Sequence, residues 1–424
     1  MFLGQPSGYF GRVMRILFVA PYLPSPLRVR SFRLLEGLAA LGHEITLVAL
    51  ASDRPGRDDT GVRSYLRSLC HTVHIVPHPK SEAFLSTALH LASRTPLSLA
   101  PYQSRRLHAV VAQLIHEKSF DVGHFEHLRT GHLASLIRDK FPAVLDIPDS
   151  LAVQYQKRMP EGREGSLDGV VTGREYDRLR RYEPLIASQF DRVIVPTDDT
   201  AERMLTSAED AGLEIDLDVI PNGVDLEYFH PIAGTPVLPG NIVFTGRLGS
   251  ATDRDAVHYF VDEIFPGIRN AYPLATVTFV GSDPDPDLVH MAQTPGTGIE
   301  VTGRVADARP YLARAAVAVC PIRIPGGSRH RVLQIMAMGK AVVAAPEACE
   351  AVDPNPPGQC YCLADTPLSF ATQIIYLFNH PEEAERLGQN ARQYVEERHD
   401  WKVVVKRLED VYQSVVDMRR SRAA

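Results

Sequence analysis

Short runs of β-branched and other apolar residues alternate along this chain with longer stretches whose apolar residues recur every three to four positions, and the chain runs through that pattern twice. Such alternation is the sequence form of parallel sheets covered by helices on both faces. In the first half, Arg15 to Val19 reads as a strand and Val29 to Leu41 as a helix carrying Leu34, Leu38 and Leu41 on one stripe. Gly42 is its stop, and Glu44 to Val48 is the returning strand. Val73 to Val76, Asp121 to Phe125, Ala143 to Asp146 and Arg192 to Val195 extend the sheet, with helices expected over Ser104 to Glu117 and Tyr176 to Gln189. Val219 to Asp225 then carries a strand end into an Asn222-Gly223 turn, and residues of low periodicity follow to Pro239, as in a linker. Ile242 to Thr245, Thr276 to Val280, Ile299 to Val301, Val317 to Pro321 and Ala341 to Ala345 form a second set of strands. The pattern predicts an α/β protein of two doubly wound domains meeting near residue 225, with ligands in a cleft at the carboxyl ends of the strands.

Composition narrows the classes. A chain of 424 residues has room for two such domains, and 45% hydrophobic with 23% charged residues is the balance of a soluble globular protein. A formal charge of −6 argues against a general nucleic-acid binder. The longest apolar runs, Ile16 to Ala20 and Val317 to Pro321, fall far short of the roughly twenty residues of a membrane span. Met1 to Val13 lacks a charged segment followed by an apolar one, and five irregularly spaced cysteines suit free thiols, so a cytoplasmic location is expected. Met14 stands directly before a strong strand, which makes residues 1–13 an expected over-long start.

The densest local chemistry runs from Cys320 to Met336, a strand passing through Gly326-Gly327 into a helix. Glycines let backbone N–H groups approach an anion, Ser328 is a candidate N-cap, and a helix N-terminus adds positive potential. Arg329 and Arg331 add charge, and Arg331 shares a helix face with Gln334. A capped surface helix with solvated arginines is the plainer alternative. Asp283-Pro284-Asp285-Pro286-Asp287 has the look of a metal-binding Asp-x-Asp, but its place between a strand and a helix assigns it loop and N-cap roles.

In the first half, Asp121 to Leu128 sets His124, Glu126 and His127 at a strand's carboxyl end, where Glu126 and His127 are candidates to act on a substrate. Packing in the sheet for His124, and a surface helix for His127 or His132, are the alternatives. The spacing of His124, His127 and His132 fits no common zinc pattern. Arg28, Arg30 and Arg33 follow the first strand, either to recognise a phosphate-bearing ligand or as a solvated face. Asp146 to Ser150 occupies another strand end. Trp401 to Met418 is an amphipathic helix with Val404, Leu408, Val411 and Val415 on one side and Trp401 as a packing anchor; Arg419, Arg420 and Arg422 after it are either a lipid contact or a frayed end.

Several stretches, taken in order, resemble the retaining GT-B glycosyltransferases of family 4, and within them the exopolysaccharide-associated sugar transferases. They are Pro221-Asn222-Gly223-Val224-Asp225 with Phe229, Phe244-Thr245-Gly246-Arg247-Leu248, Val301-Thr302-Gly303-Arg304-Val305, Arg309-Pro310-Tyr311-Leu312, and Val332 to Lys340. The resemblance implies two Rossmann-like domains facing a central cleft. Residues 14–225 would be the acceptor side, with helix 401–418 packing back on them, and residues 226–400 would bind a nucleotide sugar. It implies transfer of a sugar from a nucleotide-diphosphate sugar to a glycan or lipid-linked acceptor with retention of configuration. The setting would be exopolysaccharide or cell-surface glycan synthesis, with no metal or other cofactor and with peripheral contact to the inner membrane face.

The resemblance also assigns roles. Arg247 and Arg331 would neutralise the diphosphate, Gly326, Gly327 and Ser328 would cradle phosphate or sugar, and Gly303, Arg304 and Val305 would border the base, with Gly246 in the phosphate loop. Glu126 or His127 would serve the sugar or its oxocarbenium-like transition state, and Arg28, Arg30 and Asp146 would stand on the acceptor side. Three departures bear on this. Gln334 replaces the glutamate that holds the ribose, Thr252 stands near the place of a second phosphate-binding lysine, and Glu126 falls where relatives carry the second histidine of a strand-end His-x-His. A non-catalytic nucleotide-sugar-binding scaffold and a GT-B sugar-nucleotide epimerase stay open beside the transferase.

Overall fold

The computed structural model describes residues 12–52, 59–91, 93–158, 167–324, 330–350, 352 and 358–423; residues 1–11, most of the expected over-long start, lie outside them. The chain divides into two compact units, one running to Ile220 and resumed from Val405, the other spanning Pro221–Val404.

The first unit is built on a seven-stranded sheet of β1 (Arg15–Ala20), β2 (Glu44–Ser52), β3 (Thr72–His78), β4 (Val122–Glu126), β5 (Ala143–Asp146), β6 (Arg192–Val195) and β7 (Leu217–Val219). Their order is β3-β2-β1-β4-β5-β6-β7 and every pairing is parallel. The second unit carries β8 (Leu238–Thr245), β9 (Thr276–Val280), β10 (Ile299–Gly303), β11 (Ala315–Cys320), β12 (Val342–Ala344) and β13 (Cys362–Leu363) in the order β10-β9-β8-β11-β12-β13, again parallel. Residues on both faces of the central strands are buried, such as Ile16 to Ala20 and Ile242 to Phe244, because helices cover both sides. Strand order reverses between β1 and β4 in one sheet and between β8 and β11 in the other. These switch points are where crevices open in doubly wound sheets.

Some elements differ from the sequence expectation for identifiable reasons. β8 starts at Leu238, inside the expected linker, because Leu238 pairs with Ala315. The helix expected from Tyr176 begins at Leu167. Gly169 and Gly173 weaken the local signal there, but Glu175 anchors the segment by accepting from the N–H groups of Leu97 and Ser98 at 3.0 and 2.7 Å. The final helix, Trp401–Ala423, packs Trp401 so closely on Gly223 that a Cβ there would strike the indole. Further along, the Tyr412 hydroxyl meets Nδ1 of His124 at 2.7 Å. Arg419, a candidate lipid contact, is instead bound to the Asp191 carboxylate at 3.1 Å and to the carbonyls of Phe141 and Arg138, and Arg420 pairs with Asp417. All five cysteines are buried free thiols. Among the described residues no helix is long and apolar enough to cross a membrane.

Candidate functional site

At the second unit's switch point, β8 ends at Thr245 and turns through Gly246, while the chain after β11 leads into the helix His330–Ala337. Arg331, in the first turn of that helix, is 3% exposed, and its Nη2 donates to both carboxylate oxygens of Asp253 at 2.8 Å. A buried guanidinium persists only when paired. Asp253 provides the pairing from the helix Ala251–Tyr259, whose N-cap Ser250 accepts from the Asp253 N–H. The Phe244 ring, 4.6 Å from the guanidinium carbon, closes its other side. This ion pair explains the glycine at 246: a Cβ there would overlap both the Arg331 guanidinium and the Asp253 carboxylate. A Cβ at Gly281 would in turn overlap the Gly246 carbonyl oxygen. The second terminal nitrogen of Arg331, Nη1, is buried with no hydrogen-bond partner among the described residues.

That guanidinium borders a cavity of about 810 Å³, lined also by Gly246, Arg247, Arg304, Val305, Arg309 and Gln334. Four arginines, Arg247, Arg304, Arg309 and Arg331, meet two aspartates, Asp253 and Asp283, on its walls, so the cavity carries excess positive charge. Arg247 is 76% exposed and reaches Asp283 only at 3.5 Å. Arg309 is held by Asp307 at 2.8 Å and lies 3.9 Å above the Tyr228 ring. Arg304 is exposed and makes no ion pair with any described residue. Gly303, directly before it, has φ 65°, a left-handed conformation that favours glycine and sets the turn out of β10.

Six of the expected donor-side residues therefore converge on one cavity: Gly246, Arg247, Arg304, Val305, Arg331 and Gln334. Gly326, Gly327 and Ser328 lie outside the described residues. Thr252 lines the cavity as well. Asp253 was missed because three residues after an N-cap serine it reads as an ordinary first-turn carboxylate. Asp285 caps the helix Pro286–Gln293 as expected, and among the described residues no three His, Cys, Asp or Glu side chains gather as metal ligands.

In the first unit the switch point is occupied by buried polar groups. Glu126, at the end of β4, accepts from the Ser31 hydroxyl at 2.6 Å through Oε1, and its Oε2 is buried without a partner among the described residues. Loss of water pushes the carboxyl up to about 7. His124 stacks on Phe18 with ring centroids 4.2 Å apart, and burial lowers it to about 4. His127 adopts φ 65°, and its Nδ1 accepts from the Arg129 N–H. Burial takes it down to about 3, and His132 to about 4. His124 thus packs within the sheet, the plainer of its two readings.

Arg30 and Asp146, both expected on the acceptor side, bind each other. Arg30 Nε and Nη2 donate to the two Asp146 oxygens at 2.8 and 3.1 Å, and Nη2 also donates to the Ile220 carbonyl. With side chains 6% and 0% exposed, neither presents charge to solvent. Arg28 is exposed, 3.5 Å from the Tyr22 ring centroid, and Arg33 pairs with Glu36.

Comparison with known proteins fits this geometry. Residues 27–223 match the family model described as a glycosyl transferase 4-like domain, and residues 239–380 match glycosyl transferases group 1; together these take in more than three quarters of the chain. The chain is a glycosyltransferase. Solved structures with the same two-domain α/β architecture include sucrose-phosphate synthase from Thermosynechococcus elongatus, 16% identical over 96% of this glycosyltransferase and 100% of that chain, with a TM-score of 0.66. Anabaena HepE in complex with UDP is also 16% identical, over 95% and 100% of the two chains, with a TM-score of 0.64. TarM is 10% identical over 95% and 99%, with a TM-score of 0.61. At these identities the likeness is one of fold, the GT-B fold. No curated protein sequence matches this glycosyltransferase.

Proposed function

We propose that this glycosyltransferase takes a sugar from a nucleotide-diphosphate sugar bound in the second unit and passes it to a glycan or lipid-linked acceptor. Transfer would proceed with retention of anomeric configuration and without a metal, in exopolysaccharide or cell-surface glycan synthesis at the inner membrane face. The observation that carries this reading is the arginine-rich cavity at the β8/β11 switch point, with the Arg331 Nη1 buried at its wall and without a partner among the described residues. A nucleoside diphosphate is the anion such a cavity suits, and HepE has been solved with UDP and with UDP-glucose.

In this reading Arg247 and Arg331 take the diphosphate, whose negative charge grows as the sugar C–O bond breaks, so that they stabilise the transition state more than the ground state. The backbone at Gly326, Gly327 and Ser328 adds N–H donors, Gly303 to Val305 border the base, and Gln334 holds the ribose hydroxyls through neutral hydrogen bonds. Glu126, or His127 beside it, serves the sugar, and Arg28, with the Arg30–Asp146 pair behind it, belongs to the acceptor side. Gln334 in place of a carboxylate favours one other reading, a scaffold that binds a nucleotide sugar without turning it over.

Thermal unfolding with UDP, GDP, ADP and CMP, each with magnesium and with EDTA, separates these readings, since a ligand that binds the native state raises its melting temperature. The expected result is a shift for one diphosphate that persists in EDTA and vanishes in Arg247→Ala, followed by glycoside formation from the matching sugar donor. Shifts with no nucleotide in folded protein would overturn the donor site, and binding without turnover would leave the scaffold.

A further inference from the structure

The helix Lys80–His90 of the first unit is packed inside out. Its inward side is polar: Ser86, buried, donates to the Ala100 carbonyl at 2.7 Å, and Glu82 accepts from the Ser104 hydroxyl at 2.7 Å. Its outward side is apolar. Phe84, Leu85 and Leu89, with Leu91 just past the helix end, are 78, 59, 61 and 59% exposed. Positions 84, 85, 88 and 89 lie on one face of a helix, so these side chains form a patch rather than scattered exposures. Such a face costs solvation free energy for as long as it stays in water.

The surroundings of the patch indicate its partner. Arg178 Nη2 donates to the Leu91 carbonyl at 3.4 Å, which ties the helix end to a hollow lined by Arg94, Arg178, Arg181 and the half-exposed Leu185. Among the described residues Asp177 is the only acidic one on that hollow, so the flank of the apolar patch is net positive there. A second copy of this chain docking by a two-fold contact would bring the same guanidinium cluster from each partner to the contact, which opposes it. An anionic lipid surface complements both parts at once, taking apolar side chains to the depth of the acyl boundary and guanidiniums at the phosphates.

We infer that the outward face of helix Lys80–His90, with Arg94, Arg178 and Arg181, docks this protein on an anionic lipid bilayer. The inference rests on the membrane-face setting proposed above and names the surface that would serve it; its test contains no nucleotide, so its failure leaves the sugar-transfer reading standing. Full-length protein is sedimented at low salt with phosphatidylcholine vesicles and with vesicles that include phosphatidylglycerol. Two double variants are compared, Phe84→Ser with Leu89→Ser and Arg94→Glu with Arg181→Glu; all four sites are on the surface, and unchanged melting temperatures show that both variants fold. The wild type is expected to bind anionic vesicles at least about tenfold more tightly than neutral ones, and each double variant to lose about tenfold or more. Three results would overturn the proposal. They are no binding to anionic vesicles, wild-type binding by both variants, and a wild-type dimer that Phe84→Ser with Leu89→Ser splits, which would make the partner a second copy.

Discussion

Replacing Asp253 by asparagine tests whether the Arg331–Asp253 pair holds the cavity wall together. The substitution keeps the shape of the side chain and removes its charge. It leaves Arg331 3% exposed with both terminal nitrogens short of an anionic acceptor. Removing one member of a buried pair typically costs about 3–5 kcal/mol. Because the guanidinium borders an open cavity, water can offset part of this, so about 2–3 kcal/mol is expected. For a domain of this size that is a fall in melting temperature of about 5–10 °C by scanning calorimetry. A companion variant with Asp253→Leu and Arg331→Met removes both charges. An apolar pair of similar volume is often neutral or stabilising, so this variant should melt near the wild type. Asp253→Asn melting within about 1 °C of wild type would refute the reasoning, and a double variant as unstable as the single one would place the loss in packing rather than in charge.

Two more perturbations probe the first unit. The Glu126 carboxyl is raised to about 7 by burial, above its ordinary value of 4.5. Below about pH 4.5 it is neutral in both folded and unfolded chains, and between there and about 7 the unfolded chain gives up a proton that the fold retains, so its contribution to stability is lost as pH rises. Glu126→Gln should therefore flatten the fall in stability between pH 4.5 and 7 by up to one proton in urea titrations, and equal slopes would count against it. Tyr412→Phe deletes the hydroxyl that meets Nδ1 of His124 and strands a buried ring nitrogen, which should cost about 1–2 kcal/mol in the same titrations, against no change if the contact contributes nothing.

The sheets were legible because their strands are buried on both faces and so read as short continuous apolar runs; β5, β6 and β9 fall where the sequence put them. The loops that line the β8/β11 cavity were legible because their glycines and arginines sit at strand ends. What stayed hidden is pairing over distance. Nothing local in Asp253 announces that it will meet an arginine 78 residues later, or in Arg30 that Asp146, 116 residues on, will neutralise it. For Arg30 the sequence left a phosphate-bearing ligand and a solvated face open, and the fold buries it against a carboxylate at the end of β5. The helix Lys80–His90 drew no reading from the sequence, and which way its apolar residues point is set by packing that only the structure shows.

Both switch points hold buried ionisable groups, yet they treat charge in opposite ways. In the first unit Arg30 is cancelled by Asp146, His124 and His127 are lowered to about 4 and about 3 and are neutral near pH 7, and Glu126 is raised to about 7. Its groups present hydrogen-bonding capacity with little net charge, a surrounding that suits hydroxyl groups better than phosphates. In the second unit four guanidiniums outnumber two carboxylates around one cavity, and one buried nitrogen of Arg331 has no partner among the described residues. A desolvated donor without an acceptor is costly, and any anionic oxygen placed against such a donor relieves that cost while gaining a charge-assisted hydrogen bond. Asp253 engages only Nη2, which keeps the guanidinium fixed and leaves Nη1 without an acceptor among the described residues.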